Sequence, residues 1–290
     1  MSRLLDLIGN TPLVELTRLN PNPEVKLLAK LEGDNPGGSV KDRTAYFMVK
    51  GALARGDLKP GMKLVEATSG NTGIALAMIA GLFDIEIELV MPASSTRERI
   101  LTMEAYGAKV TLEESMEAAR DSALEKAAKG DYLILNQFAN PDNWRAHYET
   151  TGPEIWRDTG GEITHFVSSM GTTGTIMGCS RFLKEHNPGV RIVGCQPKDG
   201  ASIPGIRKWP VEYLPALFER ERVDEVVEVS ENDAVSTTRM LARQEGIFAG
   251  MSSGGAAFAA IEVAKRIKSG TVVFVVCDRG DRYLSSNLFG

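Results

Sequence analysis

Apolar and polar positions along this chain switch repeatedly between a period of two and a period near 3.6. Residues 13–16 and 25–31 are short apolar runs separated by a Pro/Asn-rich turn at 20–23, and they read as strands. From Val40 the spacing lengthens. Val40, Ala45, Phe47, Met48, Val49, Ala52 and Leu53 predict a helix that ends near Gly56. Strands follow at 63–67, 85–91, 109–112 and 132–135. Between them lie a small-residue helix at 74–80, a helix from Thr96 to Tyr106 closed by Gly107, and another over 115–129. Asn140-Pro141-Asp142-Asn143 marks a boundary, with a helical segment at 151–159 after it. A second alternation then runs through strands at 165–168, 190–195 and 271–276 and helices after Gly174, over 231–245 and after Gly254. Residues 200–222 are rich in Pro and aromatic residues and lack periodicity; long irregular segments of this kind are often functional. Strand–helix alternation on this scale predicts an α/β protein: two three-layer lobes with mostly parallel sheets and a cleft between them. Ligands of such sheets bind beyond the carboxyl ends of the strands.

Composition narrows the chemistry. The chain has 290 residues, enough for one large or two medium domains, and its net charge of -5 gives no basic footprint for nucleic acid or an anionic membrane. No apolar run approaches membrane-spanning length, and the start, Met1-Ser2-Arg3-Leu4-Leu5-Asp6, turns acidic too soon for a signal peptide. Cys179, Cys195 and Cys277 are far apart and odd in number, and the three histidines are scattered. A cytoplasmic protein without metal or disulfide framework is the expectation.

Four loops carry candidate chemistry, each where the chain enters a helix. Asn35-Pro36-Gly37-Gly38-Ser39-Val40-Lys41-Asp42-Arg43 is a turn feeding a helix, with Ser39 expected at the N-cap and Asp42 as its capping-box partner. Lys41 then falls in the first turn, where the helix dipole disfavours a cation. It reads either as a solvated lysine or as an amine whose lowered pKa suits a nucleophile or Schiff base. Thr68-Ser69-Gly70-Asn71-Thr72-Gly73 offers hydroxyls, a carboxamide and backbone N–H groups to an anion such as a carboxylate, more than an ordinary cap needs. Ser168-Ser169-Met170-Gly171-Thr172-Thr173-Gly174-Thr175 is neither a Walker A loop nor a dinucleotide fingerprint, but could hold one phosphate. Met251-Ser252-Ser253-Gly254-Gly255 and Cys277, after the last strand, complete the set; Cys277 reads equally as a cleft residue or as a small core residue. A lysine, one phosphate cradle and one carboxylate cradle fit pyridoxal 5′-phosphate acting on an amino acid.

These motifs together resemble the signatures of the cysteine synthase (O-acetylserine sulfhydrylase) family of fold type II pyridoxal-phosphate enzymes. Ile8-Gly9-Asn10-Thr11-Pro12-Leu13 and Asp281-Arg282-Tyr283-Leu284-Ser285 match as well, so the resemblance spans essentially the whole chain. Ser168-Ser169-Met170, Ile203-Pro204-Gly205-Ile206-Arg207-Lys208-Trp209-Pro210 and Cys277-Asp278-Arg279-Gly280-Asp281 are similar to the B-type isozyme. The chain stops at Gly290, somewhat early for the family, which leaves open the contacts a C-terminal tail makes.

The resemblance implies a role for each matching position. Lys41 would carry the cofactor and serve as general base. Asn71 would bind the cofactor's 3′ oxygen, Gly171, Thr172, Thr173, Gly174 and Thr175 its phosphate, and Cys277, with Ser252 nearby, its pyridine nitrogen. Thr68, Ser69, Asn71 and Thr72 would bind the substrate carboxylate. Arg207 is the candidate for an anionic sulfur donor, against a reading as a solvated loop arginine, and Trp209 is read as loop packing. The implied reaction makes L-cysteine from O-acetylserine and sulfide, or S-sulfocysteine from thiosulfate, by β-elimination and β-addition through an aminoacrylate. The alternatives are a serine/threonine dehydratase, a cystathionine β-synthase-like enzyme or a non-catalytic partner-binding relative. The resemblance further implies a homodimer, a larger cofactor-binding lobe of residues 1–34 and 147–290, and a smaller mobile lobe of residues 35–146.

Overall fold

In the computed structural model, which describes residues 3–68 and 70–290, the strands sort into two sheets. The chain opens the first sheet with β1 (Leu13–Glu15) antiparallel to β2 (Val25–Leu31). It then leaves through helix α1 (Lys41–Arg55) to build the second. That one comprises β3 (Lys63–Ala67), α2 (Asn71–Leu82), β4 (Ile87–Pro92), α3 (Arg97–Ala105), β5 (Lys109–Glu113), α4 (Met116–Ala128) and β6 (Tyr132–Leu133). Its four strands are parallel, in the order β5-β4-β3-β6. Helix α5 (Pro141–Ala146), a π-helical turn at His147–Thr151 and α6 (Gly152–Asp158) lead back to the first sheet. There the chain adds β7 (His165–Ser169), α7 (Gly174–His186), β8 (Arg191–Pro197), β9 (Glu225–Val229), α8 (Glu231–Glu245), α9 (Met251–Arg266) and β10 (Gly270–Val276). The order is β1-β2-β10-β7-β8-β9, and only β1 runs antiparallel.

Each sheet is covered on both faces, as parallel sheets require. Along β10, Val272, Phe274 and Val276 pack with Ala256, Ala257 and Ala260 of α9, while Val273 and Val275 pack with Ile176, Met177 and Leu183 of α7. The two-residue period of a strand thus feeds two separate cores. In the smaller sheet Leu64 and Leu89 face α1 and α2, and Val65 and Val90 face Ala119 and Ala123 of α4. Full burial of one such side chain contributes about 1.5–3 kcal/mol. Among the described residues no helix is long and apolar enough to cross a membrane.

The elements depart from the sequence reading in four places. The boundary at Asn140 is the start of α5: Asn140 accepts from the Asp142 N–H, and Pro141 occupies the first turn. The strand expected at 132–135 stops at Leu133, because the chain turns left-handed at Asn136 (φ 54°) and the Asn140 amide takes the Leu135 carbonyl at 2.8 Å. The edge strand β9, Glu-Val-Val-Glu-Val, lies in a stretch with no assigned element in that reading. Helix α9 begins at Met251, so Gly254 and Gly255 lie inside it. A Cβ at Gly254 would sit 2.0 Å from Thr238 Oγ1 and 2.3 Å from the Ala234 carbonyl oxygen, so the glycine lets α8 and α9 touch. Among the last residues, Leu288 packs on α8, where Arg239 Nε donates to its carbonyl at 2.7 Å, and Phe289 meets Phe248, just past that helix, with centroids 4.7 Å apart.

Candidate active site

Lys41 opens α1, and the start of that helix is pinned to the end of β10. The Val40 N–H donates to the Cys277 carbonyl at 2.8 Å, and Ser39 bridges to Asp278. This pinning overturns the expected capping box. Val40, with helical φ −54° and ψ −21°, holds the N-cap position without a side-chain cap. Ser39 Oγ accepts from the Lys41 N–H at 3.2 Å, and the Asp42 carboxylate reaches back to the Gly37 N–H at 2.5 Å. Burial pushes the Lys41 amine below its ordinary range, against the smaller opposing influence of its neighbours Cys277 and Asp278. Among the described residues the amine has no hydrogen bond or ion pair. A partly desolvated amine at the positive end of a helix dipole is readily deprotonated.

The loop Gly171–Thr175 leads into α7. Its glycines allow close approach: a Cβ at Gly171 would lie 2.8 Å from the Gly205 carbonyl oxygen, and one at Gly174 2.0 Å from Asn143 Oδ1. Thr173 is left-handed, with φ 68°. Thr172 Oγ1 accepts from Asn143 Nδ2 at 3.1 Å, and Thr175 Oγ1 lies 3.2 Å from His147 Nε2. The same network reaches the other two loops. Thr44 of α1 donates to Asn143 Oδ1 at 3.1 Å, Asn143 donates to the Gln137 carbonyl at 2.6 Å, and Thr72 of α2 donates to Gln137 Oε1 at 2.7 Å. His147 is pushed down to about 3, mainly by burial, so it stays neutral. Thr173 Oγ1 is buried and lacks a partner among the described residues. An orphaned hydroxyl at a helix N-terminus, among backbone N–H groups, fits one phosphate.

Across from the lysine, burial pushes the Cys277 thiol up to about 12, with the Asp278 charge adding to it. The thiol is therefore neutral; it donates to the Val275 carbonyl at 3.8 Å and has the Ser252 hydroxyl as a neighbour. Ser252 is itself fixed through its carbonyl, which accepts from Ser169 Oγ at 2.6 Å, and Ser253 Oγ accepts from the Cys277 N–H at 2.9 Å. Asn71, the first residue of α2, donates to Asp278 Oδ2 at 2.7 Å and accepts from Arg282 Nη1. Thr68 is buried, and its Oγ1 accepts from the Gly70 N–H at 3.4 Å; Ser69 lies outside the described residues. A neutral thiol, a reactive amine and an orphaned hydroxyl together suit an aldehyde cofactor with a ring nitrogen and a single phosphate.

Arg207 is exposed and its guanidinium lies 5.5 Å from the centre of the Trp209 ring. Its backbone N–H holds the Met170 carbonyl at 2.8 Å, and Trp209 Nε1 holds that of Gly171 at 2.8 Å, so this segment braces the Gly171–Thr175 loop. Sequence reasoning missed Gln137, Asn143, His147, Asp278 and Arg282. The last two stand in quoted motifs but carried no role. The others lie beside an apparent boundary, and nothing local marks them.

Glu66, at the carboxyl end of β3, is a further buried carboxyl. Desolvation pushes it up to about 7, against hydrogen bonds from the Asn136 and Leu135 N–H groups. A carboxyl raised in the folded state stabilises below its unfolded value of 4.5, and that contribution is lost as pH rises through 7. Glu66→Gln is therefore expected to gain about 3 kcal/mol relative to the wild type between pH 4.5 and pH 8. Urea midpoints at the two pH values measure this, and a pH-independent difference would refute it.

Residues 4–278 match the family model described as pyridoxal-phosphate dependent enzyme. The chain is 58% identical to cysteine synthase B of Escherichia coli (strain K12), covering 100% of this chain and 97% of that protein. It is 57% identical to cysteine synthase B of Salmonella typhimurium (strain LT2), with the same coverage. The crystal structure of a cysteine synthase from Entamoeba histolytica superposes with a TM-score of 0.94 at 37% identity, over 100% of this chain and 90% of that one.

Proposed function

The chain belongs to the pyridoxal-phosphate dependent enzymes, and from that premise we propose that it is a cysteine synthase using O-acetyl-L-serine and sulfide, or thiosulfate to give S-sulfocysteine. Pyridoxal phosphate is its cofactor. The observation that supports the reading is the set of hydrogen bonds joining the loops: Val40 N–H to the Cys277 carbonyl, Asn71 to Asp278, and Thr44 through Asn143 to Thr172, beside the orphaned Thr173 hydroxyl. When bound, the cofactor supplies an electron sink for the substrate's α-carbon.

The protein's own groups do the rest. Lys41 would hold the cofactor through Nζ, and the free amine would take and return the substrate's α-proton. Gly171–Thr175 binds the phosphate by backbone N–H groups and hydroxyls. Thr68, Ser69, Asn71 and Thr72 hold the substrate carboxylate at the N-terminus of α2, and Gln137 orients Thr72. Cys277 and Ser252 would offer the ring nitrogen a neutral partner, which would make the ring a moderate electron sink. Arg207 attracts the anionic sulfur donor. A smaller lobe, residues 35–146, closes over the carboxylate against the larger lobe of residues 1–34 and 147–290, excluding water from the reaction. The enzyme works as a cytoplasmic homodimer.

The purified protein is expected to make cysteine from O-acetylserine and sulfide and S-sulfocysteine from thiosulfate, and to leave serine and threonine unreacted. Release of a 2-oxo acid from serine or threonine without cysteine formation would make it a dehydratase instead. Arg207→Ala is expected to lower the rate with thiosulfate about tenfold, the loss of one charge-assisted contact, and to spare sulfide. Equal losses with both donors would remove Arg207 from donor recognition.

A further inference from the structure

Asn71 is the group expected to meet the cofactor's ring oxygen, and a carboxamide can present either a donor or an acceptor there. Two side chains decide which. Arg282, in the 3-10 turn Gly280–Tyr283 after β10, donates from Nη1 to Asn71 Oδ1, and Asp278 Oδ2 accepts from Asn71 Nδ2 at 2.7 Å. Asp278 is itself held by the Tyr283 O–H at 2.6 Å. The second arm of the Arg282 fork, Nη2, donates to the carbonyl of Gly37, in the loop that leads to Lys41. The guanidinium is buried and has the Asp42 carboxylate as a charged neighbour. Two adjacent glycines make room for this arrangement. A Cβ at Gly38, where φ is +81°, would lie 2.6 Å from Arg282 Nη2, and one at Gly37 would lie 2.6 Å from Asp42 Oδ1.

We propose that Arg282 is a positioning residue for the cofactor, acting through Asn71. A guanidinium only donates, so it fixes the carboxamide with its oxygen toward Arg282 and its NH2 group toward the cleft. One amide hydrogen goes to Asp278, and the other is left for the ring oxygen. The same fork holds the Gly37 carbonyl, which sets the lysine loop and the N-terminus of α2 at a fixed separation. A lysine, with a point charge on a flexible stem, cannot span both acceptors in one geometry. The proposal rests on Asn71 meeting the cofactor, as in the reading above, and not on which amino acid is turned over.

The test is a double-mutant cycle read as the equilibrium dissociation constant for pyridoxal phosphate, without turnover. Asn71→Ala and Arg282→Met are each expected to weaken cofactor binding about tenfold, the scale of one hydrogen bond to a charged group. The double variant is expected to stay within about twofold of Asn71→Ala, because Arg282 acts through that side chain. Additive losses, or wild-type affinity in Arg282→Met, would overturn the proposal. If Arg282→Met does not fold, Arg282→Lys replaces it in the cycle, with the same loss and the same non-additivity expected. Wild-type affinity or additive losses there would overturn the proposal equally. Wild-type affinity in Asn71→Ala would mean instead that the Asn71 role itself is wrong, and failure of the cysteine synthase reading would show only in the turnover assay.

Discussion

Lys41→Ala is expected to abolish turnover, a loss of at least ~10³-fold, while leaving the fold intact. On the proposed function, the rate effect follows from removing both the cofactor's anchor and the group that moves the α-proton; general base catalysis alone supplies about 10²–10⁴-fold. The fold is spared because the amine makes no hydrogen bond or ion pair among the described residues, and the first turn of α1 is held by Ser39, Val40 and Asp42 instead. Removing a cation from a helix N-terminus is neutral to mildly favourable. Stability is expected to stay within about 0.5 kcal/mol of the wild type. Steady-state rates with O-acetylserine and sulfide, alongside a urea titration, check both halves. Wild-type turnover would exclude Lys41 from the chemistry, and a large loss of stability would make it a structural residue.

The second large effect lies two residues further on. Arg43 is fully buried and forks onto two carboxylates: Glu32 at 2.7 Å through Nε and Nη2, and Glu154 at 2.6 Å through Nη1 and 2.7 Å through Nη2. Lys30, also buried, reaches Glu154 at 2.8 Å and the Thr11 carbonyl at 2.7 Å. Burial alone would push both carboxyls up. Arg43 outweighs it, holding Glu32 below its usual range and Glu154 at about 2. Arg43→Met takes from two buried carboxylates the cation they share, leaving Glu154 its 2.8 Å pair with Lys30, and breaking such a buried cluster costs about 3–5 kcal/mol. That is a large share of the 5–15 kcal/mol by which a domain is typically stable, roughly.

The cost has a pH signature. Lowered carboxyl values contribute stability above the unfolded value of 4.5, and that contribution is lost as pH falls toward 2. The difference between wild type and Arg43→Met is therefore expected to be largest at pH 7–8 and to shrink below about pH 4.5. Urea midpoints across that range decide it, and a deficit under 1 kcal/mol at pH 8 would contradict the argument.

Much of this architecture can be read from local pattern. The strand at 63–67 and the helix at 231–245 have the predicted bounds, because each is a single periodic run between turn residues. The candidate loops were visible because glycines and hydroxyls gather at helix starts. The connections between the loops were not visible. Asn143 and His147 do their work 29 and 28 residues away in sequence, and Arg282 does so 211 residues away, where no periodicity reports it. The failed capping box shows the same limit. Ser39 and Asp42 have the local signature, but the end of β10 claims the backbone at Ser39 and Val40, and Gly37 claims the carboxylate. Local propensity was overruled at Ser39 and Val40 by partners more than 200 residues distant, and at Asp42 by Gly37, five residues away.

Strand order also sets the order in which the molecule can be assembled. Every pairing of the four-stranded sheet lies between Lys63 and Leu133, so that sheet is complete in the first half of the chain. The six-stranded sheet is different. Its inner strand β10 joins β2 to β7, and the register Val25↔Gly270 spans nearly the full length of the polypeptide. Closing so long a loop delays that contact relative to local ones. On a ribosome, β1 and β2 wait for almost the last segment to emerge. The same segment then delivers Cys277, Asp278 and Arg282, so the sheet and the cleft are finished in a single event, and an incomplete chain has neither.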